Sequence, residues 1–244
     1  MKHLYRPIAL TLLTVLLGVA AHAQNPLDSA RLALQNGDVE AAKRLLEPAY
    51  KAQPADTAVV LTLAEVYLRE QDSKRAEQIL ETATNTFPEY GNLYVRLGIA
   101  LNMRGKFKKA EEAFMKANSL LPKEAPERAT LYVNLGLSIM NDNRPKEAVA
   151  CFDKAIAANP RNTTAHGYRG MALYRMGDLK EAIEAYNRAI EIDDKNPITL
   201  YNRGIAIQKN GQLAKACLDY HAACKLGNLN ACKKVMMECS KQNL

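Results

Sequence analysis

Tryptophan is absent from the 244 residues, and the other aromatics come to 11 tyrosines and 4 phenylalanines. With Ala, Leu, Lys, Glu and Asn frequent in their place, the composition favours helices over strands. Histidine is nearly missing too: beyond residue 23 only His166 and His221 remain, 55 residues apart. No HExxH, no GxSxG and no Walker-type glycine loop occurs. The acidic residues are scattered beside Lys or Arg, as in "KKAEEAFMK", which describes a solvated helix face rather than a catalytic carboxylate pair. His166 is read as a packing or hydrogen-bonding residue, and no enzymatic activity is expected. Blocks of like charge are also lacking. The formal charge of +7 is interspersed, with no stripe to follow a phosphate backbone, so nucleic acid is not an expected partner.

The one long apolar run lies at the start, in "MKHLYRPIALTLLTVLLGVAAHAQN". A basic start, an apolar stretch from Ile8 to about Ala20, then Ala21-His22-Ala23 give the layout of a secretory signal cleaved between Ala23 and Gln24. The run falls short of the ~20 residues that span a bilayer. Residues 1–23 are therefore expected to be removed, leaving a chain with no membrane span, exported to the periplasm, the envelope or the exterior. Lys2 and Arg6 go with them, so 31 of the 33 basic residues face 26 acidic ones in the mature chain.

What is present in abundance is a period. Small residues recur as Ala30, Ala64, Gly98, Gly136, Gly170 and Gly204, spaced 34, 34, 38, 34 and 34. Twelve residues after each comes an alanine (Ala42, Ala76, Ala110, Ala148, Ala182, Ala216), and seven later another, from Ala49 to Ala223. A large residue lies between the two alanines: Leu46, Leu80, Phe114, Phe152, Tyr186 and Tyr220. Four units end in proline, at 54, 88, 122 and 160, and turn signals such as Arg104-Gly105-Lys106 and Met176-Gly177-Asp178 divide each unit in two. Each unit reads as two helices crossing closely at the small residue, with the large one beside it. A pair of helices cannot cover its own apolar face, so neighbouring pairs must stack.

"YVRLGIALNMRGKFKKAEEAFMKANSLLP" (94–122) and "YRGMALYRMGDLKEAIEAYNRAIEID" (168–193) resemble the tetratricopeptide repeat family. The resemblance implies an all-α, right-handed solenoid of six two-helix units, about 24–56, 57–90, 91–124, 129–162, 163–196 and 197–230, with residues 231–244 as a capping helix and tail. "APER" (125–128) is a four-residue insertion, where a longer connection and a local change of path are expected. The family holds partner peptides along the first helix of each unit. Two places before the small residue, that implies Thr62, Arg96, Asn134, Tyr168 and Asn202. The positions taken as one and five places after it add Glu65, Ile99, Leu137, Met171 and Ile205, and then Arg69, Met103, Asn141, Met176 and Lys209. The carboxamides of Asn134 and Asn202 can pair with an extended main chain. Arg69 and Arg96 would favour an acidic segment, while the methionines offer adaptable apolar contact. The same positions also suit ordinary helix packing. Val133 and Gly167 stand where relatives that bind a C-terminal carboxylate need lysine, so that mode is not expected.

Four of the five cysteines lie in "ACLDYHAACKLGNLNACKKVMMECS" (216–240). Folding this stretch as a helical hairpin about Asn228 mirrors Cys217 onto Cys239 and Cys224 onto Cys232, the one connectivity of three that needs no distortion. An oxidising compartment would sustain both links, and closing the outer loop contributes on the order of 3 kcal/mol. Unlinked thiols and a zinc site are the alternatives, although zinc sites favour a tighter pair than C-x6-C. The stretch also resembles Sel1-like repeats. Cys151 is left over as a buried thiol. The expected function is a non-enzymatic scaffold holding a protein or peptide partner, without cofactor or metal. The alternatives are a subunit of an envelope or secretion assembly that docks by its outer face or ends, and an accessory domain of an exported enzyme.

Overall fold

The computed structural model describes residues 25–240, so the leader expected at 1–23 lies outside the described residues. Among the described residues there are thirteen α-helices and no strand. Two compact units divide the chain between Ile79 and Leu80.

The first unit holds α1 (Pro26–Gln35), α2 (Val39–Ala52), α3 (Thr57–Arg69) and the opening turns of α4 (Ser73–Thr86). Short polar residues start these helices by accepting otherwise unpaired amide hydrogens. Asn25 Oδ1 accepts from Leu27 N, Asp38 from Ala41 N, and Asp56 from Ala58 N and Val59 N. Ala30, Ala42, Leu46 and Ala64 are fully buried. Pro48 sits inside α2 without ending it, on the exposed side.

The second unit continues with four hairpins: α5 (Gly91–Met103) and α6 (Phe107–Leu120), α7 (Glu127–Asn141) and α8 (Pro145–Ala158), α9 (Thr163–Met176) and α10 (Leu179–Ile192), α11 (Pro197–Lys209) and α12 (Leu213–Lys225). A short helix, α13 (Leu229–Lys234), follows and passes into a π-helical turn at Val235–Cys239. The cap is thus not one uniform helix, and it begins two residues earlier than expected.

The periodic glycines have a measurable reason. A Cβ built on Gly98 would lie 2.6 Å from the Phe114 ring, and those on Gly136, Gly170 and Gly204 would lie 2.6, 2.8 and 2.6 Å from Phe152, Tyr186 and Tyr220. In these four hairpins the second helix packs its aromatic ring against the glycine of the first helix. The four rings are at most 2% exposed, and each such burial contributes roughly 1.5–3 kcal/mol. Where the first two repeats carry alanine at the small position, they carry leucine at the large one, so volume is traded within each pair.

The inter-helix turns follow the same period. Gly37, Gly105, Gly177 and Gly211 take positive φ of 71–93°. The two remaining turns place Gln71 and Asn143 at the equivalent site, with φ of 62° and 63°. Each expected stop proline, at 54, 88, 122 and 160, falls two residues past its second helix. The insertion is divided between loop and helix. The α6–α7 connection spans 121–126, where α8–α9 and α10–α11 use four residues, and α7 is lengthened to 15 residues. Arg128 fastens that connection, donating to Leu121 O, Asn118 Oδ1 and Tyr132 Oη at 2.9, 2.7 and 2.8 Å.

Candidate binding face and C-terminal cap

Within the second unit, first helices touch one another in succession, α5 with α7, α7 with α9, and α9 with α11. Second helices instead pack against the first helices on either side. The row with the closer spacing is the inner side of this stack, and the expected positions from Arg96 to Lys209 belong to helices of that row.

The residues five places after the small one turn out to be largely occupied. Arg69 Nη1 donates to Leu34 O of the preceding first helix at 3.1 Å, and its Nη2 donates to Glu65 at 2.6 Å. Met176 stands six places after Gly170, and the five-place position belongs to Arg175. That residue repeats the Arg69 bond, donating to Met140 O at 3.1 Å. Lys209 lays its ammonium 4.7 Å from the centroid of the Tyr174 ring, again on the preceding first helix. These cations cap carbonyls or cover a ring, as cations near helix C-termini do. Met103, Asn141 and Met176 are exposed.

The row two places before the small residue divides. Thr62 Oγ1 and Asn134 Nδ2 donate to carbonyls of their own helices, Ala58 O and Thr130 O. Arg96 is half-buried. Between α5 and α7, Asn102 Nδ2 donates to Asn134 O at 3.1 Å, and Ser138 Oγ donates to Asn102 Oδ1 at 2.6 Å. Tyr168 stacks on Phe152 with centroids 5.9 Å apart. The carboxamide of Asn202 has no partner among the described residues.

Tyr168 and Asn202 meet across an open cleft of about 180 Å³ between α9 and α11. From α9 it receives Thr163, Thr164, Gly167, Tyr168 and Met171. From α11 come Ile198, Thr199 and Asn202, with Asn196 from its N-cap, and Tyr186 of α10 completes the lining. Burial pushes the Tyr186 phenol well above its ordinary pKa. No charged residue lines the cleft. Of the expected positions, Tyr168, Met171 and Asn202 are brought together here, and Arg69, Arg96, Met103, Asn134, Asn141, Met176 and Lys209 are not. Gly167 was expected only as a place without lysine and Thr199 not at all; the signal for Gly167 was a glycine inside a helical pattern without turn residues beside it, and Thr199 had none.

At the far end, Cys217 and Cys239 place their sulfurs 1.99 Å apart, and Cys224 and Cys232 2.00 Å apart. Asn228 caps α13 by accepting from Ala231 N, after Gly227 turns the chain at φ 91°. Gln208 ties the cap to α11, accepting from Tyr220 Oη at 2.6 Å and from Lys234 at 3.3 Å, and donating to Glu238. The hydrogen bond from Lys234, more than the one from Gln208, holds the Glu238 carboxyl below its ordinary pKa. On α12, buried Asp219 receives both Arg203 Nε and Nη2, at 2.8 and 2.6 Å. Cys151 is buried, which raises its thiol pKa. His166 Nε2 lies 3.0 Å from Pro160 O.

Tetratricopeptide repeat family models match residues 33–90, 133–197 and 185–217, together more than half of the chain. The chain belongs to the tetratricopeptide repeat family. A TPR repeat-containing protein of Bacillus subtilis (strain 168), YpiA, is 27% identical over 103 residues, 42% of this chain and 24% of the relative. The chain thus spans about a quarter of that relative's length. Among solved structures, Pseudomonas aeruginosa pilF superposes with a TM-score of 0.71 at 20% identity, covering 85% of this chain and 94% of its own. YrrB, described as a TPR protein with an unusual peptide-binding site, gives 0.59 at 20% identity over 78% of this chain and 97% of its own. At such identities the likeness is one of fold. Proteins built from these repeats serve as protein–protein interaction scaffolds, and this TPR chain shares that architecture. Among the described residues no helix is long and apolar enough to cross a membrane.

Proposed function

We propose that the protein is a non-enzymatic scaffold of the periplasm or cell envelope, with six repeats over 24–230 and a cap over 231–244. It holds a peptide segment of a partner protein along the first-helix face of its later repeats. The observation that carries this reading is the cleft between the first helices α9 and α11, edged by Tyr168, Met171 and Asn202, whose carboxamide has no partner among the described residues. Apolar walls with a few convergent polar groups are what small recognition sites offer. The basic-apolar-small layout of residues 1–23 supports export, as do two cysteine pairs at disulfide distance, which persist in oxidising compartments.

A photoreactive residue placed at Met171 or Asn202 in the full chain, expressed in its own envelope, is expected to crosslink a partner. The same probe at Glu184 or Arg188, on the second-helix side, is expected to give none. Adducts confined to Glu184 and Arg188 would refute the reading. A second reading, docking of an assembly partner on the C-terminal end, is favoured by the exposure of Leu229, Met236 and Met237 on the cap. A probe at Met237 tests it in the same experiment.

A further inference from the structure

Gly167 differs from the other glycines inside the first helices. Those at 98, 136, 170 and 204 lie beneath aromatic rings and have no room for a Cβ. A Cβ on Gly167 would meet only Thr199 Oγ1, at 3.9 Å. Neither packing nor backbone requires glycine there, and glycine in a helix interior is less stable than alanine. The repeat shows what normally fills the place. The residue three before the small position faces the residue five before it in the next repeat, as Val133 and Ala165 do within one buried cluster. One repeat earlier the pair is Val95 and Leu131, both buried. At the α9–α11 junction the pair is Gly167 and Thr199, and the cleft is the volume left over.

We propose that this cleft is a specificity pocket for a single uncharged apolar side chain, of leucine to phenylalanine size, presented by an extended partner segment whose main chain pairs with the Asn202 carboxamide. The inference rests on the scaffold reading above and adds to it the chemistry of the ligand. Uncharged walls select against an ionised side chain, which would lose its water and find no counter-ion. The cations on the same two helices are engaged elsewhere, Arg175 on Met140 O and Lys209 on the Tyr174 ring. The expectation of an acidic partner therefore does not extend to this pocket.

The test uses the purified full chain and pools of decapeptides with random flanks and one fixed central residue. Pools centred on Leu, Ile, Met or Phe are expected to bind at least about tenfold better than those centred on Asp, Glu, Lys or Arg, as filling or emptying an apolar pocket typically does. Gly167→Val, which installs the residue of repeats three and four, is expected to remove that preference while Tm stays level or rises. Should the valine variant fold poorly, Gly167→Ala is the second variant, with a several-fold loss expected at equal or higher Tm. Selection of acidic pools, unchanged binding by the Gly167 variants, or no binding by any pool would overturn the pocket. The two readings separate through Asn141→Glu, on the same face outside the cleft. If this variant weakens binding and Gly167→Val does not, the face survives without the pocket; if neither matters, both fall.

Discussion

The α5–α7 and α9–α11 junctions are built on the same repeat. In both, a ring lies on a glycine, Phe114 on Gly98 and Tyr186 on Gly170, and the first helices touch. They differ in what stands between those helices. At α5–α7, Val95 and Leu131 are buried, and Asn102, Ser138 and Asn134 O are joined by hydrogen bonds, although Asn92 Oδ1 on α5 is buried without a partner among the described residues. At α9–α11, Gly167 and Thr199 leave the space open, and Asn202, at the repeat position of Asn134, has no partner for its carboxamide among the described residues. Within the second unit, the size of two side chains per junction thus separates a packed junction from one that leaves a cleft.

Emptying the filled junction has the largest expected effect. Val95→Gly removes buried methyl groups, leaves a cavity and places glycine in a helix interior. A loss of about 3 kcal/mol is expected in denaturant unfolding. A loss below about 1 kcal/mol would mean that the two junctions are not so different. Next comes the contrast between glycines. Gly98→Ala must displace the Phe114 ring and is expected to cost about 2 kcal/mol, whereas Gly167→Ala is expected to stabilise by about 0.5–1 kcal/mol. Pairing Gly98→Ala with Phe114→Leu recreates the Ala–Leu combination of the first repeat and should recover at least half of that cost, a coupling that a double-mutant cycle measures. Additive losses would disprove the volume exchange. The smallest effect concerns the turns. Gln71 holds the left-handed site that glycine takes in four other repeats, so Gln71→Gly should raise stability by about 0.5 kcal/mol after the added freedom of the unfolded chain is discounted. A decrease would show that the Gln71 side chain compensates for its backbone.

The repeat itself was legible in the sequence, because each small–large pair is a local steric relation that recurs at fixed spacing. Gly98 with Phe114 and Gly204 with Tyr220 could be matched before any coordinates. Cysteine spacing about Asn228 likewise follows from helix geometry over a short hairpin. Contacts between repeats were harder to read. Arg69 looked available for a partner, yet it reaches a carbonyl 35 residues earlier in the chain, on Leu34. Lys209 was likewise placed on the face without its ring partner, Tyr174. Met176 stands one place beyond the row, and Arg175, which holds the five-place position, repeats the Arg69 bond. Gly167 was noticed only as a lysine not present. Its meaning depends on Thr199 standing opposite, and no local pattern in the sequence carries that. Gln71 and Asn143 were missed as turn residues because the signal sought was glycine, while the period alone determines where the left-handed residue falls.

The most direct test of the central claim is a structure of the protein bound to the tightest decapeptide from the pools. The expected result is an apolar side chain packed over the Gly167 Cα between α9 and α11, with the peptide main chain within hydrogen-bonding distance of Asn202. A peptide bound instead on the second-helix side, against Glu184 and Arg188, with the cleft unfilled, would contradict it.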